Sequence, residues 1–463
     1  MKRRDIRFRP GSFPPRHFAA AGGAICGNPS RPANGSLDGT GIFCRIRPTH
    51  RPPMTVRKSI FWLHLATGLT VGLVVAVMSF TGTALAFEHD IIARVERDAL
   101  RVTPPPANAP RLPVSELIKH ARIAEPNRRP TAVTVSSDPA QVVQVAFGRE
   151  ATLYVDPYSG AVREQGSKKW RAFFQLMEGW HRFLGRSGDQ RALGKAVTGA
   201  CNAAFLFLAL SGLVLWWPRK WRTKGLKRSL WFLRDASGRA RDWNWHNVIG
   251  FWSAPILIIL TATGVVMSYR WANDLVYRAT GSPVPAQQGP GNPGSPALAA
   301  AKAPATEGPL GPDALLAAAR QFSPRWEVTT LLLGGPRGKG GDQRPAGETR
   351  PSAGQTGAEH LVTPPAVIMV QESGAGPLFA RTSLTLDPFS AELLKRDTYA
   401  DGSLGRRVRT WIRFLHTGEA LGPVGQLLAA LASLGAGFLV YTGFALSWRR
   451  FFLQKEEKPA VVS

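Results

Sequence analysis

The sequence predicts an α-helical membrane protein: a four-helix transmembrane bundle built from a tandem repeat, with two small α+β domains on one side of the membrane. Three observations lead there. Four apolar runs, 60–87, 196–217, 248–269 and 424–448, are long enough to span a bilayer; the third covers roughly 33 Å at 1.5 Å per helical residue, against a hydrocarbon core of about 30 Å. Residues 60–87 lie over 242–269 without a gap, matching His64 with His246, Gly68 with Gly250, Thr81-Gly82 with Thr263-Gly264 and Phe87 with Tyr269. The other two runs share Ser211-Gly212 with Thr442-Gly443 and Trp217 with Trp448, each preceded by a histidine, His181 or His416, once a gap of four residues is allowed. Internal matches of this kind mark a duplicated unit of helix, soluble segment, helix.

The third observation is the distribution of charge. A net charge of +27 invites a nucleic-acid reading, but the basic residues cluster beside helix ends, where they set orientation. The loop 218–244 carries Arg219, Lys220, Arg222, Lys224, Lys227, Arg228, Arg234, Arg239 and Arg241 against Asp235 and Asp242. That loop is expected in the cytoplasm, and Arg57, Lys58, Arg449, Arg450 and Lys455 place both termini there too. The partner this implies is the lipid bilayer; nucleic acid is excluded. Cys26, Cys44 and Cys201 are too far apart for a CxxC site or a disulfide framework.

In chain order, residues 1–53 are rich in Arg, Pro and Gly and lack apolar periodicity, so they read as a disordered leader, with translation expected to begin at Met54. The first membrane helix is assigned to 58–98 and a first outer domain to 110–166, after the stiff PPPANAP at 104–110. In that domain a helix at 114–123 precedes three alternating strands, and Asp156-Pro157-Tyr158-Ser159-Gly160 has turn chemistry. A pre-helix and the second membrane helix occupy 168–217, the basic loop 218–244 and the third membrane helix 245–275. Residues 276–310 read as a disordered linker. The second outer domain, 311–400, repeats the helix, strands and turn (Asp387-Pro388-Phe389-Ser390) around a Gly/Pro-rich disordered insert at 335–364. Ala391 stands where the first turn has Gly160, so the second turn is expected to differ in shape. A pre-helix and the fourth membrane helix fill 405–450, and 451–463 is a cytoplasmic tail.

The histidines carry the chemistry. Ionisable side chains near membrane helices are costly and tend to mark function. On the predicted topology His64 and His246 stand at the cytoplasmic ends of the first and third helices, while His181 and His416 precede the second and fourth on the outer side. Two facing imidazoles suit the axial positions of haem iron, and the interior of a bundle is a usual place to build such a site. Without CxxCH the haem would be non-covalent, b-type. Zinc is the rival, but neither HExxH nor a Cys/His cluster is present. His89, at the outer end of the first helix, is the alternative ligand for the outer site; its repeat counterpart is Trp271. His120, His360, His17 and His50 read as solvated or structural. The helix glycines admit close backbone approach to a macrocycle or ordinary close packing. Arg182 and Arg413 outside, and Arg57 and Arg241 inside, are candidates to pair with haem propionates.

His64 with Gly68, Thr81-Gly82, YVDPYSG at 154–160, GWHRFLG at 179–185, SGLVLWWPRK at 211–220, WHNVIG at 245–250, LDPFSAE at 386–392, FLHTG at 414–418 and TGFALSWRR at 442–450 together resemble the PepSY-associated transmembrane helix family over about residues 54–455. That family includes bacterial haem-containing reductases of siderophore-bound iron. The resemblance implies PepSY-like periplasmic domains, the bacterial inner membrane, and a di-haem b oxidoreductase that passes electrons outward to a ferric siderophore or another iron(III) chelate. Reduction weakens the grip of hard oxygen ligands on iron. No GxGxxG fingerprint follows a strand, so electrons must come from a separate donor, a quinol or a cytoplasmic reductase. The alternative is a non-redox membrane scaffold whose outer domains bind peptides or regulate an envelope protease.

Overall fold

The computed structural model describes residues 55–103, 109–148, 151–163, 167–218, 223–285, 301–302, 308–333, 362–374, 376–377 and 379–453, with the backbone alone at 223–225, 301–302 and 362–363. The leader and Met54, most of the linker and insert, the end of the tail, and with them His17, His50, His360, Cys26 and Cys44, lie outside the described residues.

Helix α1 (Val56–Leu85) is followed by two short helices, α2 (Glu88–Val95) and α3 (Arg97–Leu100), then α4 (Val114–Ala124). Strands β1 (Ala132–Ser136), β2 (Val143–Phe147), β3 (Ala151–Val155) and β4 (Val162–Arg163) complete the first soluble segment. Helix α5 (Lys168–Phe183) leads to α6 (Arg191–Trp216), and α7 (Thr223–Leu230) to α8 (Gly238–Ser268). The second half continues through α9 (Arg270–Ala279), β5 (Ala301–Lys302), α10 (Pro312–Phe322), β6 (Trp326–Leu332), β7 (Val362–Thr363), β8 (Ala366–Glu372), β9 (Thr382–Leu386) and β10 (Leu393–Asp397). It ends with α11 (Leu404–Thr417) and α12 (Gly422–Phe451).

Four helices, Val56–Leu85, Gly188–Trp216, Gly238–Ser268 and Glu419–Phe451, are long and apolar enough to cross a membrane. They pack as a square: α1 and α8 each touch both α6 and α12, so α1 stands diagonally across from α8. Leu63, Leu73 and Phe80 of α1 and Leu431, Leu434 and Phe438 of α12 are exposed, as side chains that face lipid must be. Inside, small and polar residues (Ser79, Thr81, Ser211, Thr261, Thr263, Thr442) are buried and let the helices approach.

The soluble segments depart from expectation. Each was expected to hold three strands in a domain of its own; each adds a fourth, and the eight strands form one antiparallel sheet in the order β10-β9-β8-β6-β1-β2-β3-β4. The seam is β1 against β6, with Val133 opposite Leu331 and Thr134 opposite Thr330, whose hydroxyls are 2.9 Å apart. A lone half-sheet would leave β1 or β6 as an unpaired edge, and joining the two removes both edges. Helices α4 and α10 cover one face, so that Leu117, Ala121, Leu316 and Ala319 share a single core with Val145, Ile368 and Leu384. The Asp313 carboxylate at the start of α10 accepts from Val114 N (2.5 Å) and Ser115 N (3.1 Å), capping α4 of the other half. Three smaller corrections follow from helix and strand content: α9 runs into the stretch assigned to a linker, β5 and β7 pair within linker and insert, and α8 begins inside the basic loop, which also contains α7.

The Ala391 turn was expected to differ from the Gly160 turn. It has the same shape: Gly160 (φ 72°) and Ala391 (φ 58°) are both left-handed. Each donates its N–H to the carbonyl of the turn's aspartate at 3.0 Å, Gly160 to Asp156 and Ala391 to Asp387. Left-handed backbone costs an L-residue about 1–2 kcal/mol. We expect Ala391→Gly to be neutral or stabilising, because part of that relief is offset by about 1 kcal/mol of added freedom in the unfolded chain. Gly160→Ala should lower stability by roughly 2 kcal/mol, since it adds the same strain and sets a methyl 2.2 Å from His120 Nδ1, which is hydrogen-bonded to Gly160 O. Thermal unfolding of the two variants checks the contrast.

Candidate functional site: two levels of histidine in the bundle

At the bundle end away from the sheet, His64 on α1 and His246 on α8 turn inward from diagonally opposed helices. His64 Nδ1 is 2.8 Å from Ser211 Oγ on α6, and His246 Nδ1 is 2.9 Å from Thr442 Oγ1 on α12. Both hydroxyls already donate along their own helices, Ser211 to Phe207 O (2.6 Å) and Thr442 to Phe438 O (2.9 Å). They must therefore accept from the imidazoles, which fixes the proton on Nδ1 and leaves the Nε2 lone pair free.

The same arrangement recurs at the sheet end. His181 Nδ1 donates to Met78 O (3.0 Å) and Thr81 Oγ1 (3.1 Å) of α1; His416 Nδ1 donates to Leu260 O (2.9 Å) and Thr263 Oγ1 (3.1 Å) of α8. A backbone carbonyl can only accept, so these rings too carry the proton on Nδ1. Their centroids are 6.4 Å apart with planes inclined at 59°. Both residues lie outside the four spans. Burial lowers their pKa, that of His181 to about 4, which keeps the imidazoles neutral at physiological pH.

His181 stands well before the apolar run of its span, and the structure shows how it reaches the bundle. Helix α5 ends at Leu184 (φ 52°) and Gly185 (φ 71°), the chain reverses, and α6 starts afresh, so α5 lies back against α1 and α6. Likewise α11 ends at Gly418 (φ 82°) and packs on α8. His89 belongs to neither pair; its side chain is 78% exposed and its Nδ1 meets Glu419 at 2.9 Å. Trp271 is also exposed.

Glycines make room beside the rings. A Cβ at Gly82 would lie 3.2 Å from His181 Cε1, one at Gly212 3.6 Å from His64 Cε1 and one at Gly443 3.7 Å from His246 Cε1. Gly264 breaks the pattern by facing Asn202. The candidate propionate partners are engaged elsewhere in part: Arg57 donates to Leu215 O, Arg182 pairs with Glu178, Arg241 pairs with the buried Asp242, and the Arg413 guanidinium lies over Phe414. Among the described residues no three of His, Cys, Asp and Glu converge as a metal cluster would require.

The donor set fits haem iron better than zinc. Paired neutral imidazoles suit haem iron, whereas among the described residues no carboxylate or thiolate joins them to complete the ligand set that zinc would need. A ligating histidine also usually gives its second ring N–H to a carbonyl or other fixed acceptor, as all four do. The family model for the PepSY-associated TM region matches residues 61–450. The chain belongs to this family. No curated protein matches it. Family membership accounts for the membrane helices, and the hydroxyls of Thr81, Ser211, Thr263 and Thr442 are what sequence reasoning left without a role. Their signal was there: each stands directly before a glycine in its span.

The helix that carries His181 is fixed from outside the membrane by a buried carboxylate. Glu96, 1% exposed, accepts from Tyr154 Oη (2.6 Å), Ser167 Oγ (2.5 Å) and Arg171 Nε (2.7 Å), joining the end of α2 to β3 and to the first turn of α5. Burial works to raise its pKa, but the hydrogen bonds from Arg171, Ser167 and Tyr154 outweigh it and hold the carboxyl below the ordinary 4.5. Its contribution is present above that unfolded value and is lost as pH falls through the lower folded one. Glu96→Ala, which strands Arg171, should cost roughly 3–5 kcal/mol, and the difference from wild type should shrink in acid. Chemical denaturation at neutral and acidic pH measures both.

Proposed function

We propose that the protein is a di-haem b electron carrier of the bacterial inner membrane that reduces iron(III) chelates of the siderophore type in the periplasm. The observation that carries this reading is the common state of four imidazoles at two levels of one bundle: Nδ1 donated to a fixed acceptor, Nε2 free. Haem bound there would supply one-electron transfer. His64 and His246 would hold the inner group and His181 and His416 the outer one. Ser211, Thr442, Thr81, Thr263 and the carbonyls of Met78 and Leu260 orient the ligands. A duplicated unit would explain why each level draws one histidine from each half.

Two levels are also what the distance demands. From His64 to Gly82 is roughly 27 Å along the helix, so an inner site alone lies too deep for a chelate outside. The basic residues at the far end favour the cytoplasmic side for His64 and His246. There a quinol or a cytoplasmic reductase would deliver electrons.

Haem stoichiometry with dithionite-reduced spectra tests the proposal: two haems per chain are expected, with a reducible Soret band. Replacing His64 or His246 by Ala should remove one and spare the other, and His181→Ala or His416→Ala should do the converse and abolish chelate reduction. Purified protein without a haem spectrum would favour the scaffold reading instead.

The orienting hydrogen bonds make a finer prediction. Ser211→Ala removes the acceptor of His64 Nδ1, whereas Thr81→Val leaves His181 its bond to the Met78 carbonyl. Loss of such an outer partner costs roughly 10–100-fold in affinity. Haem retention on dilution should fall by about that factor in Ser211→Ala and by clearly less in Thr81→Val.

A further inference from the structure

We propose that the segment from Leu226 to Arg234, between the second and third spans, is a binding surface for the headgroups of anionic phospholipids. In this segment Lys227 and Arg228 are exposed, then Trp231 (63%), Phe232 (55%) and Leu233 (38%), then Arg234. Three consecutive exposed apolar side chains are poorly suited to water, and flanking cations are poorly suited to hydrocarbon. The boundary between the two suits both.

The segment is fastened at that boundary. Trp252 is 59% exposed on a membrane-spanning helix, a lipid-facing position, and its indole N–H donates to Leu230 O at 3.0 Å. Trp216, at the end of α6, donates to Ser229 O at 3.3 Å. The fully buried Asn244 donates to Arg228 O (2.7 Å) and Trp231 O (3.1 Å) and accepts from Leu233 N (3.0 Å). Three side chains of the bundle thus tie the segment to its lipid-facing flank, and indoles are at home at headgroup level. The occupant follows from charge. From 223 to 234 the chain carries Lys224, Lys227, Arg228 and Arg234 and no acidic residue, and guanidinium groups pair bidentately with phosphate. A zwitterionic lipid satisfies the apolar residues but brings no net negative charge to the basic ones.

The test uses the full chain in phosphatidylcholine nanodiscs doped with the same small fraction of brominated phosphatidylglycerol or brominated phosphatidylcholine. The signal of Trp231 is the difference in fluorescence between wild type and Trp231→Phe. Quenching by both lipids is expected, with phosphatidylglycerol enriched at least roughly fivefold at the segment, the effect of one juxtamembrane basic residue. The combined Lys227→Glu, Arg228→Glu and Arg234→Glu variant should lose the preference and keep the quenching. Equal quenching by the two lipids in wild type overturns the proposal. So does a preference unchanged in the charge variant. Absence of quenching overturns it too, and would mean that the segment faces water or a protein partner. If the charge variant does not fold, the wild-type comparison alone decides.

Discussion

Everything in the bundle depends on one constraint: a polar group inside an apolar membrane domain must find its partner within the protein. The structure meets it with a relay of three groups. A helix carbonyl accepts a hydrogen bond from a hydroxyl in its own helix, as Phe207 O does from Ser211 and Phe438 O from Thr442. The hydroxyl oxygen then accepts from an imidazole of another helix. The relay leaves each imidazole a single free nitrogen with its lone pair aimed away from the relay. An imidazole satisfied in this manner is polar enough to bind something and anchored well enough not to turn away from it. Small residues are the geometric counterpart, because Gly82, Gly212 and Gly443 keep side chains off the rings.

The sheet answers a similar constraint outside the spans. Two α+β segments separated by a pair of membrane helices could each close on their own, but then β1 and β6 would present free edges. They pair with each other instead, and with Asp313 capping α4 the halves become one body with one core. The consequence reaches the site. Helices α5 and α11 leave this body and carry His181 and His416, so the distance between the outer imidazoles is set by the joined sheet as well as by the membrane helices.

The four spans and the matched histidines are legible in sequence because each rests on a local signal: length and apolarity for a span, one residue type at one register for a histidine. The fold-back of α5 is not, because a left-handed Leu184 has no compositional mark; only the adjacent Gly185 hints at it. Ala391 misled in the opposite direction, since its turn is dictated by Asp387 and Ser390, which reproduce the bonds of Asp156 and Ser159, and the backbone bears the strain. The β1–β6 seam was hidden for a third reason. Strand alternation reports which face is buried and carries nothing about which edge meets which. The role of the hydroxyls was missed because Ser and Thr in membrane helices ordinarily satisfy themselves on the preceding turn, as these also do; their second bond exists only in three dimensions.

The two levels differ in how they are built, and the difference bears on how each could be controlled. His64 and His246 sit within spans and bond to hydroxyls of neighbouring spans, so their geometry is a property of the bundle alone. His181 and His416 come from amphipathic helices that the chain breaks off before the next span, and each docks on a span through a carbonyl and a hydroxyl. One of those helices is held at its start by Glu96, Tyr154, Ser167 and Arg171, a network that belongs to the sheet side. A displacement of the sheet relative to the bundle would therefore move the outer imidazoles and leave the inner ones where they are. The level on the sheet side is the one whose geometry the sheet can adjust.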